Sequence, residues 1–391
     1  MRLCVLSFKE CWQSDTGAWL SDGGFPMQIR AIASLFDELT LVIVRVDPRP
    51  GGIPLPSDAR VVTLRRPAGA DARRKISVAA HLPSYLKVIA QQVRRADVVH
   101  VPLPGDIPAL ALLTALVYRK RLIARYGSSW PTTPQATLMN RVTKICMRLA
   151  AGGRNVMLAT GAGVAAPAKN IHWLFATALT EREIAAISPD LHRLPGRPLR
   201  IVYAGRLSPE KGVPVLVEAV GLMRSRFAKP GDAFHVTFMG DGPQRASLAA
   251  QAQRLGCSDL VDFAGQLDRG ELLRRMQEAD VCVLPSLTES FCKARLDAML
   301  CGVPVVTTEV GFGRELIGND GERGWIVPVG DAVALGDVLE SLVKERRHWP
   351  SLRARCRAYV QDRTLEAWVD RIGELCAAQW RAALVDGKLR A

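Results

Sequence analysis

Three short stretches in the second half of this 391-residue chain collect residues able to hold an anion and sugar-like hydroxyls. The first, AGRLSPEKG, sets Gly205, Arg206, Lys211 and Gly212 directly after an apolar run. Glycines let backbone approach an anion closely, a helix N-terminus offers free N–H groups, and Arg and Lys supply two positive charges. Read alone, such a loop is better explained as a surface turn with solvated charges. The second stretch, MGDGP, places Gly240, Asp241, Gly242 and Pro243 where another apolar run gives way, and by itself signals a tight turn. The third, LPSLTESFCKARLDAMLCGVPVV, is the most informative. Here Glu289 is expected to close a strand, Phe291 to Lys293 to open a helix, and Asp297 to sit about two turns into it. The N–H groups of Ser290, Phe291, Cys292 and Lys293 would then face a phosphate at the positive end of the helix dipole. Glu289 and Asp297, eight positions apart, are acceptor-only and suit pairs of sugar or ribose hydroxyls. Taken singly, Glu289 is as readily a neighbour of a helix cap, and Asp297 a residue of a solvated helix face.

Taken in order, AGRLSPEKG, GDGP, LPSLTESF and the Glu-x7-acid segment ending in DAMLCGVPVVTT resemble the retaining, nucleotide-sugar-dependent glycosyltransferases of family 4, which have the GT-B fold. The resemblance implies that Arg206 and Lys211 bind the donor diphosphate, that Glu289 holds the donor sugar and that Asp297 binds the nucleotide ribose. Gly205, Asp241, Gly242 and the run Ser290, Phe291, Cys292 and Lys293 would complete the donor site. Asp297 stands where the family usually has Glu, one methylene longer, and Ser290-Phe291-Cys292 stands where it usually has Gly-Phe-Gly. The resemblance also implies transfer without a metal or other cofactor. No Asp-x-Asp occurs in the chain, so positive side chains would stabilise the departing diphosphate. In that scheme the leaving phosphate takes the acceptor proton on the same face, and no protein nucleophile is required.

The first half resembles the family less closely. Its SDGGFPMQIRAIASLF (21–36) looks like the Gly-Gly turn and first helix that face donor and acceptor in such enzymes, which makes Gly23 and Gly24 candidate cleft residues. A tight turn before an ordinary core helix explains the same residues equally well. Where relatives often have His-Gly at a strand end, this chain has Tyr126-Gly127. Tyr126 could hydrogen-bond a sugar, though a buried structural tyrosine is the better reading. His100, in DVVHVPLPGD, ends another strand and is weighed as a cleft residue against a satisfied core histidine.

The elements that must position these residues follow from periodicity. Short β-branched runs alternate with longer amphipathic stretches, the signature of parallel sheets covered by helices. Strands are expected near 2–7, 39–44, 59–64, 97–101, 121–126 and 155–159, and then near 199–205, 234–240, 260–265, 281–285, 303–308 and 324–329. The aperiodic SPDLHRLPGRP (188–198) reads as a linker. The expectation is therefore an α/β protein of two facing Rossmann-like parallel-sheet domains with a cleft between them. An acceptor-binding domain would span 1–190, a nucleotide-sugar donor domain 191–363, and a helix within 364–391 would pack back across the junction. Ligands of open α/β sheets sit at the carboxyl ends of the strands.

Composition narrows the remaining classes. Residues 1–190 hold 24 Lys and Arg against 13 Asp and Glu, and residues 191–391 hold 28 against 25. A basic first half favours a phosphorylated substrate, an anionic membrane surface or nucleic acid. The densest run, around Arg60, Arg65, Arg66, Arg73, Arg74 and Lys75, has no interleaved aromatics to stack bases, so no nucleic-acid partner is expected. IPALALLTALVYRKR (107–121) has no polar face and reads as a buried helix, leaving any membrane contact to basic surface, weak and salt-sensitive. TGAGVAAPA mimics a dinucleotide fingerprint with Gly161 and Gly163, but Pro167 spoils the helix such a site needs. Nine cysteines without CxxC, no long apolar run and no signal-peptide layout point to a cytoplasmic chain, peripheral at the inner membrane face at most. No metal-ligand spacing occurs among the histidines and cysteines. The expected function is transfer of a sugar from a UDP- or GDP-sugar to a hydroxyl of a glycan or lipid-linked acceptor. A sugar-nucleotide epimerase and a non-catalytic sugar-nucleotide binder are the alternatives.

Overall fold

A computed structural model describes residues 1–49, 51–69, 71–128, 130, 137–161, 165–175, 177–289, 292–345 and 348–390, with backbone alone for 71–76. The chain forms two compact units, one of residues 1–178 with 365–391 and the other of residues 179–364.

In the first unit the strands alternate apolar residues to both faces of the sheet, as a sheet covered twice requires. Leu3 and Val5 of the strand Arg2–Gln13 go to one face, with helices Phe25–Ala33 and Leu365–Trp380 packed on it. Cys4 and Leu6 go to the other, under helices Asp71–Arg95, Asp106–Val117 and Leu138–Ala150. The parallel order runs Arg60–Arg65, Glu38–Arg45, Arg2–Gln13, Val98–Leu103, Arg121–Tyr126, Asn155–Thr160, Ile171–Leu174. This is the order of a doubly wound sheet, extended by one strand. Two short antiparallel pieces, Trp19–Ser21 and Ile53–Pro54, lengthen the edge beyond the first strand. They and Ile171–Leu174 escape the periodicity reading because runs of two to four residues carry too little pattern.

The second unit repeats the scheme with strands Val261–Gly265, Phe234–Met239, Leu199–Ala204, Val281–Leu284, Val305–Thr308 and Gly324–Val327, all parallel. In chain order this is 3-2-1-4-5-6, whose topological switch point lies beside the central strand Leu199–Ala204.

Two expectations are corrected. The stretch 179–198 belongs to the second unit, so the first unit's leading segment ends at Ala178 and not near 190. Charge is the reason. Fully buried Asp280 gathers Arg193 at 3.0 Å and Arg353 at 3.4 Å, while Arg357 donates to the Ile184 carbonyl at 2.6 Å. The other correction concerns the helix Asp106–Val117, which buries Ile107, Ala111, Leu112 and Ala115 but leaves Leu113 and Val117 exposed. The last helix, Leu365–Trp380, belongs to the first unit and buries Trp368, Val369, Ile372, Cys376 and Trp380 there. A hairpin turning at Asp386 and Gly387, both at positive φ, then buries Leu389 in the same core.

Candidate functional site

At the carboxyl ends of the second unit's central strands, three turns are bound into one body. Gly205 follows the strand Leu199–Ala204, and its N–H donates to the Met239 carbonyl at 2.9 Å. Leu207 donates to Asp241 at 2.9 Å and accepts from Gln244 at 3.1 Å, so the first turn is pinned to the second. The N–H groups of Leu287 and Thr288 both reach the Glu210 carbonyl, at 2.9 and 3.3 Å, which pins it to the third. This contact is close enough to demand glycine. A Cβ on Gly212 (φ +63°) would lie 2.1 Å from the Pro285 carbonyl oxygen, and one on Gly242 would lie 2.4 Å from the Leu207 carbonyl oxygen.

This packing delivers Lys211 to Glu289. Lys211 ends the short 3₁₀ turn Pro209–Lys211, and its Nζ forms an ion pair with Glu289 Oε2. The pair is largely shielded, with Glu289 only 9% exposed and Lys211 24%. Arg206 stands exposed on the same turn, while its own carbonyl is held by the Tyr203 hydroxyl at 2.8 Å. Asp241 is exposed, accepts from the Gly242 N–H at 2.7 Å and lies 3.7 Å from Arg245. Ser290 and Phe291 lie outside the described residues. Glu289 does not close a strand: that strand ends at Leu284, and four residues of loop intervene as the chain turns over Gly212. The helix begins at Lys293, with buried Cys292 as its N-cap.

Asp297 is buried in that helix rather than on a solvated face. Its Oδ2 is held by Arg269 at 2.7 Å, and Arg269 also pairs with Glu183 at 3.0 Å. Burial pushes the Glu183 carboxyl upward, but Lys293, the Thr180 N–H and Arg269 outweigh it and hold the group below its ordinary value. Asp297 Oδ1 has no hydrogen-bond partner among the described residues. Arg295, two residues earlier, is wholly buried and donates to Thr307 Oγ1 and to the Val310 carbonyl, both at 3.1 Å, with its Nη2 lacking a partner among the described residues. Burial lowers this guanidinium, and the nearby Cys292 and Glu289 partly restore it. Neither Arg269 nor Arg295 was singled out from sequence, since a lone Arg on a helix carries no spacing signal.

The first unit holds the other candidates. Gly24 starts the helix Phe25–Ala33, preceded by Gly23 at φ +68° with open space around it. Close to Gly24, Gln28 donates to the Thr177 carbonyl and accepts from Arg125, each at 2.9 Å. His100 lies inside the strand Val98–Leu103 rather than at its end, and its Nδ1 is 3.0 Å from the Ile123 carbonyl. Burial and then Arg125 lower its imidazole to about 3, so it is a neutral core histidine. Tyr126 is also core: it meets Trp130 edge to face, lies under the Lys144 ammonium, and has its phenol pushed up to about 12 by burial. Gly163 lies outside the described residues.

Sequence reading missed a cavity of about 480 Å³ at the carboxyl ends of this unit's first strands. It is lined by Phe8, Lys9, Asp22, Asp106 and an ion-pair cluster in which Arg49 meets Asp22 and Glu10 while Arg66 meets Glu10. The strand Arg2–Gln13 makes it by breaking register between Leu6 and Glu10, a bulge that displaces Phe8 and Lys9.

Residues 188–363 match the family described as glycosyl transferases group 1. The chain is 36% identical over 152 residues to a D-inositol 3-phosphate glycosyltransferase of Arthrobacter sp. (strain FB24), covering 38% of this chain and 35% of that protein. It is 31% identical over 172 residues to the putative colanic acid biosynthesis glycosyltransferase WcaL of Salmonella typhimurium, covering 40% and 41%. The matched stretch thus spans well under half the length of these curated relatives. Over whole chains the fold is similar to that of Anabaena Alr3699/HepE in complex with UDP, with a TM-score of 0.67 at 16% identity, covering 97% of this chain and 100% of that one. Residues 188–363, with their glycine-pinned turns and doubly wound sheet, are thus a glycosyl transferases group 1 domain, and over its whole length the chain has the GT-B-like fold of two doubly wound sheets.

Proposed function

We propose that this chain transfers a sugar from a UDP- or GDP-sugar to a hydroxyl of a glycan or lipid-linked glycan, with retention at the anomeric carbon, in the assembly of a cell-surface polysaccharide or glycolipid. The observation that carries the reading is the Lys211–Glu289 pair at the meeting of three turns beside the topological switch point. Lys211 and Arg206 would meet the donor diphosphate, and Glu289 the hydroxyls of the donor sugar. In the reaction the bond from the anomeric carbon to the diphosphate breaks and that from the acceptor oxygen forms on the same face. The acceptor proton passes to the departing phosphate. The two cations stabilise the charge that develops there, a task they perform without a metal or other cofactor. Asp297 would reach the ribose through Oδ1, which has no partner among the described residues, with Arg269 fixing the other oxygen. UDP bound by the similar Anabaena protein and the biosynthetic role named for WcaL support the donor and product classes. The working place would be the cytoplasmic side of an anionic membrane, which the basic surface touches weakly.

Calorimetric titration with UDP and GDP, without metal and again with Mg²⁺, tests the donor site. One nucleotide should bind equally in both conditions and be lost in Lys211→Ala. Transfer should fall about 10²- to 10³-fold in Lys211→Ala and in Glu289→Ala, with both proteins folded. Full activity in both variants overturns the assignment. Binding without turnover over a broad donor and acceptor panel marks a non-catalytic relative, and interconversion of free nucleotide sugar without acceptor marks an epimerase.

A further inference from the structure

The helix Leu138–Ala150 of the first unit turns its apolar side outward. Its buried residues are Thr143, Lys144 and Met147. Leu138, Val142, Ile145 and Leu149 are exposed, Leu138 at 77% and Leu149 at 84%. At 3.6 residues per turn those four positions fall within about 60° of arc, on the side opposite Met147. A helix on a globular core ordinarily does the reverse. Single exposed leucines are unremarkable, but a contiguous stripe marks a surface that something covers.

Charge identifies the cover. Between Asp106 and Glu181 the chain has nine Lys and Arg and not one Asp or Glu. On the helix itself Arg141 and Arg148 border the stripe, and Arg148 lies exposed with its guanidinium 5.6 Å from the Trp130 ring. A second exposed patch, Val117 and Tyr118, ends the preceding helix beside Arg119 and Lys120. Those two cations line a cavity of about 370 Å³ with Gly152 to Asn155, the turn that follows Leu138–Ala150, so both patches occupy one end of the unit. A second copy of this surface would set cation against cation with no acid in the segment to pair. An anionic bilayer supplies both missing halves, an acyl boundary for the apolar stripe and phosphates for the arginines.

We propose that the helix Leu138–Ala150 docks the chain on an anionic bilayer. It lies in the interface with Leu138, Val142, Ile145 and Leu149 inward and Arg141 and Arg148 at the headgroup phosphates. The proposal rests on the membrane contact of the functional reading and gives it one surface, which is tested without turnover.

The experiment is flotation of the full chain with phosphatidylcholine vesicles, with and without phosphatidylglycerol, in the absence of nucleotide sugar. Wild type floats with the anionic vesicles and not the neutral ones, less as salt rises from about 0.1 to about 0.5 M. Leu138→Glu/Ile145→Glu/Leu149→Glu reduces flotation at least about tenfold with its melting curve and nucleotide binding unchanged. Arg141→Gln/Arg148→Gln weakens binding and flattens the salt dependence. The proposal is overturned if wild type floats with neither vesicle, if the triple variant floats like wild type, or if the triple variant instead dissolves a concentration-dependent dimer. Nucleotide titration on the same samples reads the donor site independently, so loss of one reading leaves the other standing.

Discussion

His100 shows how a residue with catalytic chemistry is taken out of use by its surroundings. Its imidazole falls to about 3 in the folded chain and takes a proton near pH 6.5 when unfolded. Between those values the unfolded state binds the extra proton, so stability rises with pH across the window. The contribution is fully present above pH 6.5 and lost as pH falls toward 3. Urea unfolding between about pH 4 and 5.5 should show about 1.4 kcal/mol per pH unit from this group. His100→Gln retains a donor for the Ile123 carbonyl, does not titrate, and should lose that increment of slope. An unchanged slope would place the titration elsewhere. At this scale the sequence was legible where chemistry came with spacing: Arg206, Lys211 and Glu289 stand in motifs. It was illegible for Arg295 and Arg269, because which of many arginines is buried depends on partners such as Thr307 and Asp297 that come from distant strands and helices.

At the scale of elements, three turns act as one because glycine lets their backbones touch. Gly212→Ala would force a Cβ to within 2.1 Å of the Pro285 carbonyl oxygen at φ +63°, and Gly242→Ala one to within 2.4 Å of the Leu207 carbonyl oxygen. Both neighbours are backbone and cannot rotate away. Each substitution should cost about 2 kcal/mol or more and abolish nucleotide binding, although neither adds or removes a charged or polar side chain. Gly231→Ala, with open space around it, is the control. Wild-type melting and UDP or GDP binding in Gly242→Ala would show that turn packing does not position Lys211. The strand series was readable from period and β-branching alone, since buried parallel strands are short apolar runs. The breaks were not. Nothing local in FKE announces a register shift at Phe8 and Lys9, which is settled by pairing with Glu38–Arg45.

At the scale of the whole molecule, chain order and unit membership part company. The helix Leu365–Trp380 is separated in sequence from the sheet it covers by the entire second unit, yet Trp368 and Ile372 are buried in the first unit's core. The apolar spacing of that helix announces a buried face, but no local signal says which sheet receives it. Here Arg125 approaches the Trp368 ring at 5.5 Å from the strand Arg121–Tyr126, and the Trp380 indole donates to the Arg154 carbonyl at 2.9 Å. Trp368→Ala should therefore weaken the first unit by about 3–5 kcal/mol through the cavity it leaves. The second unit, which carries the three glycine-pinned turns, should be untouched. Calorimetric melting separates the two if UDP or GDP raises one transition by ligand linkage. The substitution should lower the transition that nucleotide does not move and leave the nucleotide-responsive one in place. A fall in the nucleotide-responsive transition alone would mean that the last helix supports the second unit, and the division of the chain at Thr364 would have to be redrawn.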